Sequence, residues 1–310
     1  LMKEIASCRY DAIILIDYPT LNLRLAKQGR RFDCPVFFFI SPQIWAWRKG
    51  RIKGIRESVR KMFVILPFEE KLYLDAGVDA EFLGHPFIDM VHPSRPREES
   101  REKYSLNTGV KTIGLLPGSR MNEVNSLLDV MIQAAEKIRS ELGSCQFLLP
   151  IADSIDPDLI RQRLGANPLG IQLIQGETYD VMNSCDTLII ASGSATLEAG
   201  ILGCPMVIVY KLNPLTHWLA DRLIKIPLVG LVNIVAGEEV VPELIQHKVT
   251  AENISSEALA ILRTPEKEQA MRERLLKIRE SLGEPGVMKA VAKRIADFMV
   301  ELSANEKTPV

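Results

Sequence analysis

The stretch Asp186–Tyr210, DTLIIASGSATLEAGILGCPMVIVY, leaves a chain few ways to fold. An apolar run ends at Ala191, and small residues follow at Ser192–Thr196. A helical pattern carrying Glu198 comes next, and a second apolar run begins after Gly203-Cys204-Pro205. Strand, tight turn, helix, strand is the repeating unit of a parallel sheet. A helix that starts just past a strand's carboxyl end turns its free N–H groups and positive dipole end over the sheet edge, where phosphates bind. Small side chains at Ser192, Gly193, Ser194, Ala195 and Thr196 let a diphosphate approach the backbone. Glu198, one turn into the helix, is placed to accept the two hydroxyls of a ribose. A plain helix cap followed by an exposed glutamate explains the stretch equally well, so the deciding signals lie elsewhere.

The same alternation runs along the chain. Apolar runs at Asp11–Asp17, Pro35–Ile40, Met62–Leu66 and Ala80–Leu83 are separated by helical patterns. A Pro-rich polar segment, His92–Arg97, reads as a linker. Further strands are expected at Thr112–Leu116, Gln146–Pro150, Ile171–Ile174, Thr187–Ala191 and Met206–Val209, and charged helices from Ala251 onward. Strands alternating with helices predict an α/β fold of two Rossmann-like, mostly parallel halves. The expected division is residues 1–92 and 93–310, the terminal helices going with the second. Such a pair of sheets brings its strand ends across a cleft.

Composition narrows the class. A chain of 310 residues with 47% hydrophobic content supports two cores. A net charge of −1 gives no field that advertises nucleic acid, and none is expected as a partner. Cys8, Cys34, Cys145, Cys185 and Cys204 have neither paired nor metal-ligand spacing, as in a reducing compartment. No leader or 18-residue apolar span stands out, and the expectation is a cytoplasmic protein.

The strand ends carry the candidate chemistry. Asp17 follows DAIILI, Ser41-Pro42-Gln43 follows FFFI, and Gly84-His85-Pro86 follows EFL. Gly118-Ser119-Arg120 follows IGLLP and opens a long helix pattern, Asn122–Leu142. That turn makes a second anion-binding helix start, with Arg120 able to grip phosphate in a bidentate fashion. The alternative for Arg120 is an ion pair with Glu123. Neither a Walker A loop nor G-x-G-x-x-G is present, which disfavours nicotinamide dinucleotides. The D-x-D at Asp156-Pro157-Asp158 reads as a helix cap with Pro at the first position rather than a metal site.

Five motifs in order, SPQIWAWR, LGHP, LLPGSR-x-x-E-V, ASGSATLE with CPMVIVYK, and LVNIVAG, resemble the lipid-A-disaccharide synthase family. The resemblance runs from about Asp11 to the C-terminal helices. It implies the two-domain GT-B architecture and an inverting transfer of 2,3-diacylglucosamine from UDP to 2,3-diacylglucosamine-1-phosphate. The linkage implied is β-1′,6, and UDP is released. It puts Gly118, Ser119, Arg120, Glu123, Ser192–Thr196, Glu198 and Asn233 on the UDP side, with Lys211 also near the donor. Asp17, Ser41, Gln43, Trp47, Arg48 and His85 fall on the acceptor side. It further implies a peripheral enzyme on the inner face of the inner membrane, with a homodimer possible through the terminal helices. The family's glycine-rich first loop is absent, and a Rossmann-like half usually runs to about 100 residues. The first domain therefore reads as incomplete.

An inverting transfer needs a base on the acceptor hydroxyl and stabilisation of the leaving diphosphate. Asp17 is the candidate base and His85 the second. Arg120 and the two helix starts would hold the charge on UDP, so no metal or cofactor is expected. Trp45–Lys61 carries seven basic residues against one acid, suited to a headgroup layer or to a solvated face alike. Trp218 has core spacing. Three alternatives stay open: a UDP-sugar transferase acting on another lipid, a UDP-sugar 2-epimerase, and a UDP-binding but inactive remnant.

Overall fold

The computed structural model describes residues 10–46, 50–211 and 228–306. Among these, the residues up to Met90 and from Glu280 onward form one compact unit, and those from Val91 to Arg279 form another.

The first unit is built on a parallel sheet in the order β1 (Ile13–Ile16), β2 (Val36–Phe39), β3 (Lys61–Val64), β4 (Ala80–Phe82). Between these strands run α1 (Pro19–Arg31), α2 (Arg51–Ser58) and α3 (Pro67–Asp75), and the short α4 (Phe87–Met90) follows β4. Every residue of β2 and β3 is buried, as a parallel strand covered on both faces requires. The period of two then sorts the phenylalanines. Phe38 joins Leu25, Ala26, Ile55, Met62 and Tyr73 on one face, while Phe37, Phe39 and Phe63 line the other.

That second face is covered by the last helix of the described chain (Val287–Glu306), which contributes Val287, Val291 and Ile295 at helical spacing. Each fully buried side chain of this size contributes about 1.5–3 kcal/mol toward seating the helix on the sheet. The helix is fixed at its start as well. Asp89 accepts the N–H groups of Gly286 and Met288, and the His85 N–H donates to the Leu282 carbonyl at 2.8 Å. Gly84 (φ 119°) and Gly283 (φ 94°) cross there, and a Cβ on Gly283 would lie 3.0 Å from the Gly84 Cα. The division at residue 92 gave this helix to the second half; its apolar stripe instead completes the core of the first.

The second unit begins with the expected linker, which is pinned rather than loose. Asp180, buried, accepts the Ser94 N–H at 2.9 Å and the Ser94 hydroxyl at 2.6 Å, and Arg97 pairs with Asp186 at 2.7 Å. After α5 (Arg97–Lys103) come β5 (Lys111–Leu116), α6 (Met121–Leu142), β6 (Cys145–Ile151), α7 (Pro157–Leu164), β7 (Gln172–Gln175) and α8 (Thr178–Ser184). Then follow β8 (Thr187–Ala191), α9 (Ser194–Ile201), β9 (Met206–Tyr210), α10 (Leu231–Ala236), β10 (Glu243–Ile245), α11 (Ala251–Leu262) and α12 (Pro265–Ser281); the terminal helix Val287–Glu306 is α13. All strand pairs are parallel, in the order β10-β9-β8-β5-β6-β7. α6 buries Val124, Leu127, Leu128, Met131, Ala134, Ala135 and Ile138, a stripe at i, i+3, i+4 spacing. Asp156 caps α7, accepting the Asp158 N–H at 2.9 Å with Pro157 at the first helical position, so the D-x-D is a cap.

Candidate functional site

In the second unit the chain lays down β5, β6 and β7 in one direction, then returns to place β8, β9 and β10 on the other side of β5. The reversal leaves a crevice outside the carboxyl ends of β5 and β8, where open α/β sheets bind ligands. Leu116 of β5 pairs with Ile190 of β8. The turn Gly118–Arg120 and the turn Ser192–Ser194 are therefore neighbours at the switch point.

At the first turn Gly118 has φ 115°, open to glycine alone. Glu123, the third residue of α6, folds back over it: the Ser119 N–H donates to Glu123 Oε2 at 3.1 Å, and Arg120 Nη1 donates to Oε1 at 2.9 Å. A Cβ on Gly118 would meet Glu123 Oε2 at 2.3 Å. The helix start thus already holds an anion, the chain's own carboxylate. Arg120 takes the ion-pair alternative, yet its side chain is 79% exposed, and such a surface pair is weak enough to exchange.

At the second turn Gly193 is extended, and a Cβ there would meet open space. The N–H groups of Ser194 and Ala195 head α9 with no acceptor inside the helix. Glu198 is half-buried, and its carboxylate has no hydrogen bond or ion pair among the described residues. Burial pushes its pKa up. A desolvated carboxylate without a donor is a costly arrangement that a diol would relieve. Lys211 is exposed just after β9.

Three residues expected on the UDP side are otherwise engaged. The Thr196 hydroxyl is buried and donates to the Gly193 carbonyl at 2.8 Å, and the Ser192 hydroxyl donates to the Val229 carbonyl at 2.9 Å. Asn233 is fully buried: its Nδ2 donates to Val241 O and Glu243 Oε1, and its Oδ1 accepts the N–H groups of Val240 and Val241. Both its polar atoms are doubly used, so it shapes the loop and offers nothing to a ligand. Sequence reasoning missed the partner, Glu243, whose carboxylate also takes the N–H groups of Val229 and Gly230 at 2.8 Å each. No local pattern announces that clamp.

In the first unit the candidates also stand at strand ends. Asp17 and Tyr18 both have positive φ, 49° and 42°, and Ile40 after β2 has φ 65°. Such backbones in non-glycine residues, one of them β-branched, cluster at functional sites. The Asp17 N–H donates to Phe39 O at 2.9 Å and its carbonyl accepts Asn22 Nδ2 at 2.7 Å. Its carboxylate is exposed, with no hydrogen bond among the described residues. Gln43 is exposed as well, whereas Ser41 is buried and its hydroxyl donates to Glu69 Oε2 at 2.9 Å. Trp47, Arg48 and Trp218 lie outside the described residues.

His85 is 3% exposed, and burial pushes its pKa down to about 4. Its Nδ1 accepts the Phe87 N–H at 3.0 Å, so the neutral ring carries its proton on Nε2. A ring in that state is a poor proton acceptor near neutrality.

The family described as lipid-A-disaccharide synthetase matches residues 1–295. A lipid-A-disaccharide synthase of Syntrophus aciditrophicus is 44% identical over 94% of this chain and 76% of its own length. Among solved structures, UDP-N-acetylglucosamine 2-epimerase of Neisseria meningitidis, determined with UDP-GlcNAc, matches with a TM-score of 0.63 at 12% identity, covering 96% of this chain and 79% of that one. MurG of Acinetobacter baumannii matches at 0.58 and 14%, covering 94% and 75%. The α/β fold with two parallel sheets is of the GT-B type, the class read from the sequence.

Proposed function

Because the chain belongs to the lipid-A-disaccharide synthase family, glycosyltransferases of lipid A biosynthesis, we propose that it joins two acylated glucosamines. The donor is UDP-2,3-diacylglucosamine, the acceptor 2,3-diacylglucosamine-1-phosphate, and the product the β-1′,6 disaccharide-1-phosphate with UDP. The acceptor's 6-oxygen bonds to the anomeric carbon as the bond from that carbon to the β-phosphate oxygen breaks, inverting the centre. The electron pair leaves on UDP, and the proton goes to Asp17. Glu198 supports this reading most directly, as a half-buried carboxylate without a donor among the described residues, one turn into a helix at the switch point.

The diphosphate is held by the N–H of Ser119, the first N–H groups of α9, and Arg120, with Lys211 nearby. These are fixed dipoles and cations aimed at the charge that grows in the transition state. To reach them the phosphate exchanges with the Glu123 carboxylate. Asp17 is the base rather than His85, since its carboxylate is exposed and unpaired among the described residues, while the His85 imidazole is buried and caps the Phe87 N–H. Gln43, Trp47 and Arg48 meet the acceptor. Diacylated substrates put the reaction at the inner face of the inner membrane; no helix among the described residues is long and apolar enough to cross it.

The test is product analysis by mass spectrometry with both diacylated substrates. Disaccharide-1-phosphate and UDP in equal amounts are expected. UDP binding without that product overturns the reading, and conversion of UDP-N-acetylglucosamine to its 2-epimer replaces it with an isomerase.

A further inference from the structure

The loop after β2 is clamped by one helix, and the clamp centres on a residue that no strand-end pattern points to. Glu69, the third residue of α3, is 1% exposed. Its Oε2 accepts the Ser41 hydroxyl at 2.9 Å and the Leu66 N–H at 3.2 Å, and its Oε1 accepts the Trp45 indole N–H at 2.9 Å. One turn further along α3, the buried Tyr73 hydroxyl donates to the Pro42 carbonyl at 2.7 Å. Phe68, beside Glu69, meets the Trp45 ring edge-on with centroids 5.3 Å apart. Positions 41, 42 and 45 of the loop are thus each fastened to α3. Ile44 is buried, and Gln43 alone of positions 41–46 is exposed. The loop is entered through Ile40 at φ 65°, a backbone that persists only where surroundings over-determine it.

We propose that Glu69 is the positioning residue of the acceptor loop: its buried carboxylate, gripping Ser41 and Trp45, fixes the backbone from which Gln43 meets the acceptor sugar. The carboxylate suits the task because it is acceptor-only and offers two oxygens to three donors, two of them buried and the indole N–H half-buried. A glutamine in its place keeps the shape but turns one oxygen into a donor facing the indole or the hydroxyl, so one side of the clamp opens. The inference rests on the proposed acceptor role of the loop and adds to it the residue that holds the loop in register.

The experiment uses the full chain with Glu69→Gln and, separately, Trp45→Phe, which removes the indole N–H and keeps a smaller aromatic ring beside Phe68. Each variant is first checked for wild-type circular dichroism. Steady-state transfer is then measured with acceptor and donor varied in turn, together with calorimetric binding of UDP and of micellar 2,3-diacylglucosamine-1-phosphate. Both variants are expected to raise the acceptor KM and Kd at least tenfold, with donor KM and UDP Kd within twofold of wild type. Variants that lose thermal stability while acceptor KM and Kd stay put would show a merely structural clamp and overturn the inference. Equal losses for donor and acceptor overturn it too. If the wild-type chain binds the acceptor but transfers nothing, the proposed function falls, and the acceptor Kd of the variants still decides the inference. Absence of acceptor binding by wild type sinks both.

Discussion

Glu69 and Glu123 are one device in two settings. Each is the third residue of a helix that follows a strand, and each reaches back to take a backbone N–H from the turn before it, Leu66 in one case and Ser119 in the other. Glu69 is sealed in, and its remaining capacity is taken by a tryptophan and a serine. The Glu123 side chain is 32% exposed, and its other partner is a solvent-facing arginine. The same three-residue offset therefore builds a permanent joint in the first unit and an exchangeable one in the second. Burial, not local sequence, decides which. The sheets differ in the same sense, since β1 to β4 lie in sequential order while the second sheet reverses at β5 and opens a crevice there.

The comparison breaks most visibly at Glu69→Ala. With two buried donors and one half-buried donor left unpaired, chemical denaturation should show a loss of about 3–5 kcal/mol, whereas Glu123→Ala should lose less than about 1 kcal/mol. Equal losses would end the distinction between joint and latch. Next in size is acid sensitivity of the first unit through His85. Its folded pKa of about 4 lies below the ordinary 6.5, so between those values the unfolded chain binds a proton that the folded chain refuses. The contribution is complete above pH 6.5 and is lost as pH falls toward 4, by up to roughly 3 kcal/mol. Glu69, raised by burial, works with the opposite sign, its cost being relieved as pH falls through its folded pKa. Melting curves from pH 7 to pH 4 should steepen accordingly, and His85→Gln, whose amide oxygen can still take the Phe87 N–H, should flatten them. A loss untouched by that substitution belongs to other groups.

On the second unit the effects move from stability to ligand. Arg120→Ala should weaken UDP by about 1.5–3 kcal/mol in calorimetry, the range for hydrogen bonds to charged groups; a folded wild-type chain that ignores UDP would remove the donor site altogether. The smallest change sharpens the comparison best. Glu123→Gln, which withdraws a negative charge from the phosphate position, should tighten UDP by roughly 0.5–1 kcal/mol. Weaker binding instead would mean that Glu123 is as fixed a part of its loop as Glu69.

Much of the architecture was open to reading because buried parallel strands announce themselves. VFFF and TLIIA have no other reasonable home, and the first polar residue beyond each, Ser41 and Ser192, marks the carboxyl edge of its sheet. Gly118, Asp17 and Glu198 stand where that reasoning put them. What the sequence withheld were contacts between residues far apart along it. Ser41 and Glu69 are separated by a strand and a helix, and so their bond leaves no periodic trace. Asn233 looks like a polar group free for a ligand until Val240, Val241 and Glu243 are seen to use it up. Likewise the stripe Val287, Val291, Ile295 is legible as amphipathic, but nothing in it names the phenylalanines it covers.

That last contact carries a consequence in time. A ribosome delivers Phe37, Phe39 and Phe63 long before Val287, with well over 200 residues synthesised in between. At about 5–20 residues per second, the phenylalanine face waits roughly 10–45 s for its cover. The strands from Val91 to Arg279 meet all their partners within that interval, so the half of the molecule made first is the half that finishes last. A nascent chain stalled before Val287 should therefore offer its open aromatic face to holdase chaperones, and release that hold once the final helix emerges.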